Sequence, residues 1–360
     1  MYPMRVLMAG AMAVALFGVP AAAQAETLTE ALTSAYINNP NIESALLSVK
    51  SAAEDIALRE AGKRPTIAAN ISGNYNWAVT NGGFADTQSL TAGVSYNQRL
   101  FDNFKTDAQI EQARAFSDMS GQALRNAEQN VLLSVAQAYM NVIRDSQLVA
   151  SRQESITFYD AQLKSANDRL EVGEGTKIDV AQATARQAQA VASYRAAQAS
   201  LQTSQASYQR WVGHKPSNLT SNVGFAAMLP ASIDAAIASA EERHPAILSA
   251  KAAIRAGQAN TDAAQAAFGP TLDLIGQICG VGCFNVPSQA GMSGSVKLSL
   301  SIPIYAGGAM GASVRKANLE QIKSEVDAMA TYDEVREAVI TSWATLQNSS
   351  AQITSAQAAV

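Results

Sequence analysis

The sequence predicts a mainly α-helical chain carrying membrane-type β-strands, built as a duplicated unit of helix, two strands and a very long helix. Three observations carry that fold class. The chain repeats itself: Pro245 and Pro270 follow Pro40 and Pro65 by 205 residues each, with Leu28, Leu32 and Ile42 matching Ile233, Ile237 and Ile247. Further on, Leu100-Phe101-Asp102-Asn103 matches Ile304-Tyr305-Ala306-Gly307, and Tyr139 matches Trp343, at an offset of 204. A repeat of this size implies duplicated architecture with pseudo-symmetry. Second, the segments after Pro65 and Pro270 alternate apolar and polar residues, the period of a strand. Third, the stretch from Phe104 to Leu170 lacks proline and is rich in Ala, Gln, Glu, Arg and Leu, which favours helix.

The chain opens on a targeting segment. Arg5 supplies the positive end, Val6 to Val19 an apolar core too short to span a bilayer, and Ala23-Gln24-Ala25 a small-x-small cleavage site. Residues 1–25 therefore read as a signal peptide, and the mature chain should begin at Glu26. Elsewhere no window approaches the roughly 18 to 20 apolar residues of a membrane helix. The net charge of −4 and the lack of a basic patch argue against nucleic acid as a partner. Charged residues make up 16%, below the usual quarter, so Gln, Asn, Ser and Thr carry the polar surface. Such a composition suits helices that pack on several sides yet line water.

Residues 26–230 form the first expected repeat and 231–360 the second. A helical pattern from Leu28 to Lys63 breaks at Asn39-Pro40, where proline fits the first turn of a new helix. A strand follows at about 66–80, with Ile67, Ala69, Ile71, Tyr75, Trp77 and Val79 on one face and Thr66, Asn70, Ser72, Asn74 and Asn76 on the other. Asn81-Gly82-Gly83 turns the chain into a strand at about 88–102, where Leu90, Ala92, Val94, Tyr96 and Leu100 oppose Thr91, Gly93, Ser95 and Asn97. The second repeat offers strands at about 271–284 and 292–304, with Leu272, Leu274 and Ile278, then Val296, Leu298, Leu300, Ile302 and Ile304, against Ser293, Ser295, Ser299 and Ser301.

These strands exceed the five or six residues usual in a soluble sheet and are long enough for the roughly 9 to 11 that a tilted membrane strand needs. Ile71, Tyr75, Trp77, Val94, Tyr96, Leu298 and Leu300 are the expected lipid-facing residues, and Asn74 and Ser95 the expected lumen-facing ones. An amphipathic hairpin of a soluble sandwich is the competing reading, weakened by the second hairpin. Four strands cannot close a barrel, and an open edge cannot sit in lipid, so several copies must assemble.

A helical hairpin at about 104–211 follows, whose first helix would approach 100 Å. At its tip, Val172-Gly173-Glu174-Gly175 ends one helix, Gly173 suiting a left-handed cap, and Thr176-Lys177-Ile178-Asp179 opens the next as a capping box. The linker 212–230 contains Gly213, Pro216 and Gly224. Cys279 and Cys283 leave two readings open, a local disulfide in an oxidising compartment or two free thiols. His214 and His244 read as boundary residues, since a metal site needs several convergent partners. Ala306-Gly307-Gly308 lacks the Gly-Lys-Ser/Thr of a phosphate loop and reads as a strand-to-helix joint. No metal or cofactor is expected, and no nucleophile elbow or metal cluster points to an enzyme.

Asn39-Pro40, Pro65, Pro303-Ile-Tyr-Ala-Gly-Gly308, and the tip Val172-Gly-Glu-Gly-Thr176 with Asp179-Val180, in this order and partly duplicated, resemble the TolC family of outer-membrane efflux proteins. The resemblance implies a homotrimer whose twelve strands form one barrel in outer-membrane lipid, continued through the periplasm by an α-helical barrel. It implies a passive duct rather than an enzyme, fed by an inner-membrane transporter through a periplasmic adaptor, with drugs or proteins as cargo. A periplasmic coiled coil without a pore is the alternative of a different class. The resemblance places adaptor contact at Gly173, Glu174, Gly175, Thr176 and Asp179, and a bulky residue at Gly175 is expected to block it while leaving assembly intact. The second repeat stops at Val360 inside its long helix, so the second helical hairpin and its gating residues cannot be assigned. A fragment of a longer protein and a truncated gene product both remain open.

Overall fold

The computed structural model describes residues 25–80, 82–221, 229–283 and 291–358. Residues 1–24, which hold all but the last residue of the expected signal peptide, and residues 81, 222–228, 284–290 and 359–360 lie outside them. Among the described residues the order is α1 (Leu28–Asn38), α2 (Pro40–Glu60), β1 (Thr66–Thr80), β2 (Gly83–Phe101), α3 (Lys105–Glu171), α4 (Lys177–Val212), α5 (Ile233–Arg243), α6 (Pro245–Ala266), β3 (Thr271–Cys283), β4 (Gly291–Ser301) and α7 (Ala309–Ala358).

Each helix pair in the repeat is broken in the same way. Asn39 caps α2, its Oδ1 accepting from Asn41 N at 2.9 Å, with Pro40 in the first turn where its missing N–H costs nothing. His244 holds the matching place before α6, its Nδ1 accepting from Ala246 N at 3.2 Å. A histidine cap was not expected from the sequence, and it gives this side chain a structural task.

The strands form one antiparallel sheet in the order β1-β2-β3-β4. The two hairpins share a register: Ile67 opposes Tyr96, and at the repeat offsets Leu272 opposes Leu300. Two strand limits differ from expectation. β2 begins at Gly83, where the ladder already pairs Gly83 with Thr80 and Phe84 with Val79. β4 ends at Ser301, because Pro303 lacks the N–H that a ladder requires.

Both strand-to-helix joints need left-handed backbone. Asn103 and Phe104 stand at φ 55 and 65, and their counterparts Gly307 and Gly308 at φ 60 and 82. Glycine adopts this region freely, whereas a bulky residue such as Phe104 is strained there. The first joint is held by side chains. Asp102 Oδ2 accepts from Thr106 N at 2.9 Å and from the Thr106 hydroxyl, Phe104 packs edge-on to Phe101, and Asn103 Nδ2 donates to Ala266 O at 3.1 Å.

The chain divides into two compact units that are not the two repeats. One takes residues up to Asn38 and Leu132–Gly224; the other takes Asn39–Val131 and the rest from Phe225. The second holds both β-hairpins, one from each repeat. Its helical part is alanine-rich: Ala252, Ala256, Ala259 and Ala263 of α6 are buried. At Gly257 an added Cβ would stand 3.2 Å from Gln321 Cα, so α6 and α7 approach as closely as a missing side chain allows.

Candidate functional site

The sheet is turned inside out compared with a soluble one. The ladder puts Ile71, Tyr75 and Trp77 of β1, Val94 and Tyr96 of β2, and Leu298 and Leu300 of β4 on one face. That face is exposed, with Ile71 at 77%, Val94 at 47% and Leu298 at 62%. Along β2 the small polar residues Ser89, Thr91 and Ser95 are half-buried while Leu90, Ala92 and Val94 between them are open. A sheet folding in water buries its apolar face. An apolar band exposed over this many residues marks contact with lipid or protein. Tyr75, Trp77 and Phe84 gather at the turn end of the first hairpin, where Gln88 and Asp86 interrupt the apolar face. Aromatics at that height suit the girdle of a membrane barrel. Asn74 and Ser95 lie on the opposite, polar face.

Cys279 lies on the polar face opposite Gly93 and Ser293. Its thiol is free, and the side chain of Cys283 lies outside the described residues. The disulfide reading is corrected by the backbone. β3 stays extended through Cys283, and at about 3.3 Å per residue the two Cα atoms stand about 13 Å apart, roughly twice what a disulfide spans.

The tip of the α3–α4 hairpin is a closed hydrogen-bonded structure. Gly173 has φ +81, its N–H reaches Leu170 O at 3.2 Å, and those of Glu174 and Gly175 reach Arg169 O at 2.9 and 3.0 Å. Thr176 then caps α4: its N donates to Asp179 Oδ2 at 3.0 Å and its Oγ1 accepts from Asp179 N at 3.2 Å. Hydrogen bonds from Thr176 hold the Asp179 carboxyl below the usual carboxylate range, with Arg169 adding a weaker charge effect. Glu174, Gly175 and Asp179 line a polar cleft with Arg169 and Arg186. Gly175 has a second role that the sequence did not reveal. A Cβ there would meet Leu170 N at 3.0 Å and Arg169 C at 3.2 Å, so a side chain at 175 distorts the tip itself. A bulky residue at 175 would therefore act on the hairpin as well as on a partner that approaches it.

Sequence reasoning also missed a polar cluster around Glu26, which is buried. Its Oε1 accepts from the Tyr208 hydroxyl at 2.5 Å and lies 3.4 Å from His214 Nε2, and its Oε2 takes Ser217 N at 3.4 Å. Its carbonyl accepts from Tyr139 OH at 2.8 Å and Thr220 N at 3.1 Å. Burial and the neighbouring Glu26 carboxylate push the Tyr208 hydroxyl far above its usual range, so it stays a donor. The expected mature N-terminus is thus tied to α3, α4 and the segment after α4. Among the described residues no group of His, Cys, Asp and Glu could hold a metal, and no helix is long and apolar enough to cross a membrane.

A family model for the outer membrane efflux protein matches residues 31–214 and 236–360. The outer membrane efflux protein BepC of Brucella suis is 35% identical over 336 residues, spanning 92% of this chain and 72% of that protein. Outer membrane protein TolC of Escherichia coli is 23% identical over 360 residues, covering 96% of this chain and 73% of that one. The crystallised transmembrane channel CusC matches with a TM-score of 0.78 at 21% identity, over 92% of this chain and 78% of its own. That last likeness shows the fold, long helices joined to a sheet of β-strands. The inside-out sheet and the long helices are what such a channel requires. The chain belongs to the outer membrane efflux protein family and is a passive outer-membrane channel of efflux or secretion.

Proposed function

We propose that three copies of this chain form one duct that passes small toxic compounds from an inner-membrane pump, handed over by a periplasmic adaptor. The exposed apolar face of the sheet is the observation that carries this reading, because it needs a lipid partner while the polar face needs water. Ile71, Tyr75, Trp77, Val94, Tyr96, Leu298 and Leu300 meet lipid, and Asn74 and Ser95 line the lumen. The tip at Gly173, Glu174, Gly175, Thr176 and Asp179 meets the adaptor: it is rigidly closed, polar, and presents a cleft between arginines and carboxylates. Similarity to an efflux protein at 35% identity favours small compounds over proteins as cargo.

The test is a deletion strain complemented with the native reading frame. Restored dye export and drug resistance, with no change in secreted proteins, is the expected result. Restored protein secretion alone would move the cargo to polypeptides. Recovery of the protein as a periplasmic, non-membrane rod would sink the duct.

A further inference from the structure

We propose that β4 of one copy pairs with β1 of the next in a register fixed by the internal repeat, and that Arg64 locks this seam by filling the space over Gly307. The inference rests on the reading above that several copies close one barrel, and it adds the contact residues. The β2–β3 seam inside the chain is the template, since it joins the first hairpin to the second. There Ser95 opposes Gln277. Because the hairpins share a register at the repeat offsets, Ser95 carries forward 204 residues to Ser299 and Gln277 carries back 205 to Ser72. In that register Leu300 opposes Ile71 and Val296 opposes Tyr75, so apolar meets apolar on the exposed face. Gly291, the first residue of β4, then meets Thr80, the last of β1.

The ends of the two seams are complementary in a way that chance does not require. Inside the chain, the Asn103 side chain occupies the space in front of Gly269: a Cβ at 269 would stand 2.1 Å from Asn103 Cγ. At the copy-to-copy seam the sizes are exchanged. Gly269 carries back 205 residues to Arg64, and Asn103 carries forward 204 to Gly307. One seam pairs a glycine with a large side chain, and the other pairs a large side chain with a glycine. Within the single chain both ends stand open. Nothing lies within 4 Å of a Cβ built at Gly307, and the Arg64 side chain is 72% exposed. Arg64 thus supplies from the β1 side the bulk that Asn103 supplies from the β2 side of the internal seam.

The test uses the full chain assembled in outer membranes, with Cys279→Ser and Cys283→Ser as background. Oxidation of the Ser72→Cys/Ser299→Cys pair is expected to link copies covalently. The Ser72→Cys/Ser295→Cys pair, displaced by about 13 Å along the strand, is expected to stay unlinked. Gly307→Asn alone puts two side chains into one space and should lower the detergent-resistant oligomer about tenfold. Adding Arg64→Gly rebuilds the internal arrangement and should restore the oligomer. Linkage at the displaced pair, or failure of Arg64→Gly to rescue Gly307→Asn, overturns the register and the lock while leaving the duct standing. Absence of any oligomer in the chain without the Gly307 and Arg64 changes overturns both.

Discussion

In the first repeat Tyr139 is completely buried and its hydroxyl reaches the backbone of Glu26 and Thr220; in the second, the matching Trp343 is half-buried. The strands show the reverse relation, since the two hairpins keep one register throughout. The difference separates two kinds of constraint. A sheet whose every edge must be paired in lipid tolerates no slip, because a shift of one residue turns all apolar side chains to the wrong face. Helices outside the bilayer can exchange their partners as long as small residues let them approach. The duplicated strands therefore stay alike while the helices around them diverge.

The largest expected effect breaks the face assignment common to both hairpins. Val94→Arg and Leu298→Arg should each cost about 2 to 4 kcal/mol of assembled protein, whereas Ser95→Arg and Ser299→Arg should be tolerated. Yield of detergent-resistant oligomer in outer-membrane fractions measures this, and equal losses on the two faces would contradict the assignment. Next comes the asymmetry of the helices. Tyr208→Phe removes the hydroxyl donor from the buried Glu26 carboxylate and should cost about 1 to 3 kcal/mol. Trp343→Phe, at the counterpart of Tyr139, should stay within about 0.5 kcal/mol. Thermal melts of the two variants compare them directly.

A smaller effect concerns the tip. Thr176→Ala removes one half of the capping box and should cost about 1 kcal/mol, read as faster proteolysis at residues 172–176 with the oligomer unchanged. The smallest is a pH effect confined to the first unit. A hydrogen bond from the Arg144 guanidinium, helped by Ser204, holds the Asp145 carboxyl below the usual carboxylate range. A group with a depressed folded pKa contributes stability that is complete above its ordinary value near 4 and is lost as pH falls through the lowered one. Melting temperature should therefore drop as pH falls below about 4, and Asp145→Asn should flatten that part of the curve.

Much of this was legible in the sequence because it is local. Period-two alternation gave the strand faces, and proline gave the helix breaks at Asn39 and His244. Thr176 and Asp179 sit three residues apart, so their capping box could be read directly. What escaped is non-local or depends on exact spacing. The Glu26 cluster joins residues about 110 to 190 positions apart, and no periodicity reports that. The oxidising compartment left a Cys279–Cys283 disulfide open beside two free thiols, and only the extended strand rules it out. Gly175 read as a place where bulk would block a partner, and the space a Cβ there would need is also taken by the backbone of its own hairpin.

Site-directed labelling tests the central claim, that the polar strand face meets water while the exposed apolar face meets lipid. In a Cys279→Ser/Cys283→Ser background, Ser95→Cys and Val94→Cys occupy neighbouring positions on β2 that point to opposite faces. A membrane-impermeant thiol reagent applied to intact outer membranes should modify Ser95→Cys rapidly and leave Val94→Cys unmodified, while a fluorophore at Val94→Cys should be quenched by lipid-phase nitroxide. Equal labelling of the two positions, or quenching at Ser95→Cys instead, would contradict the account.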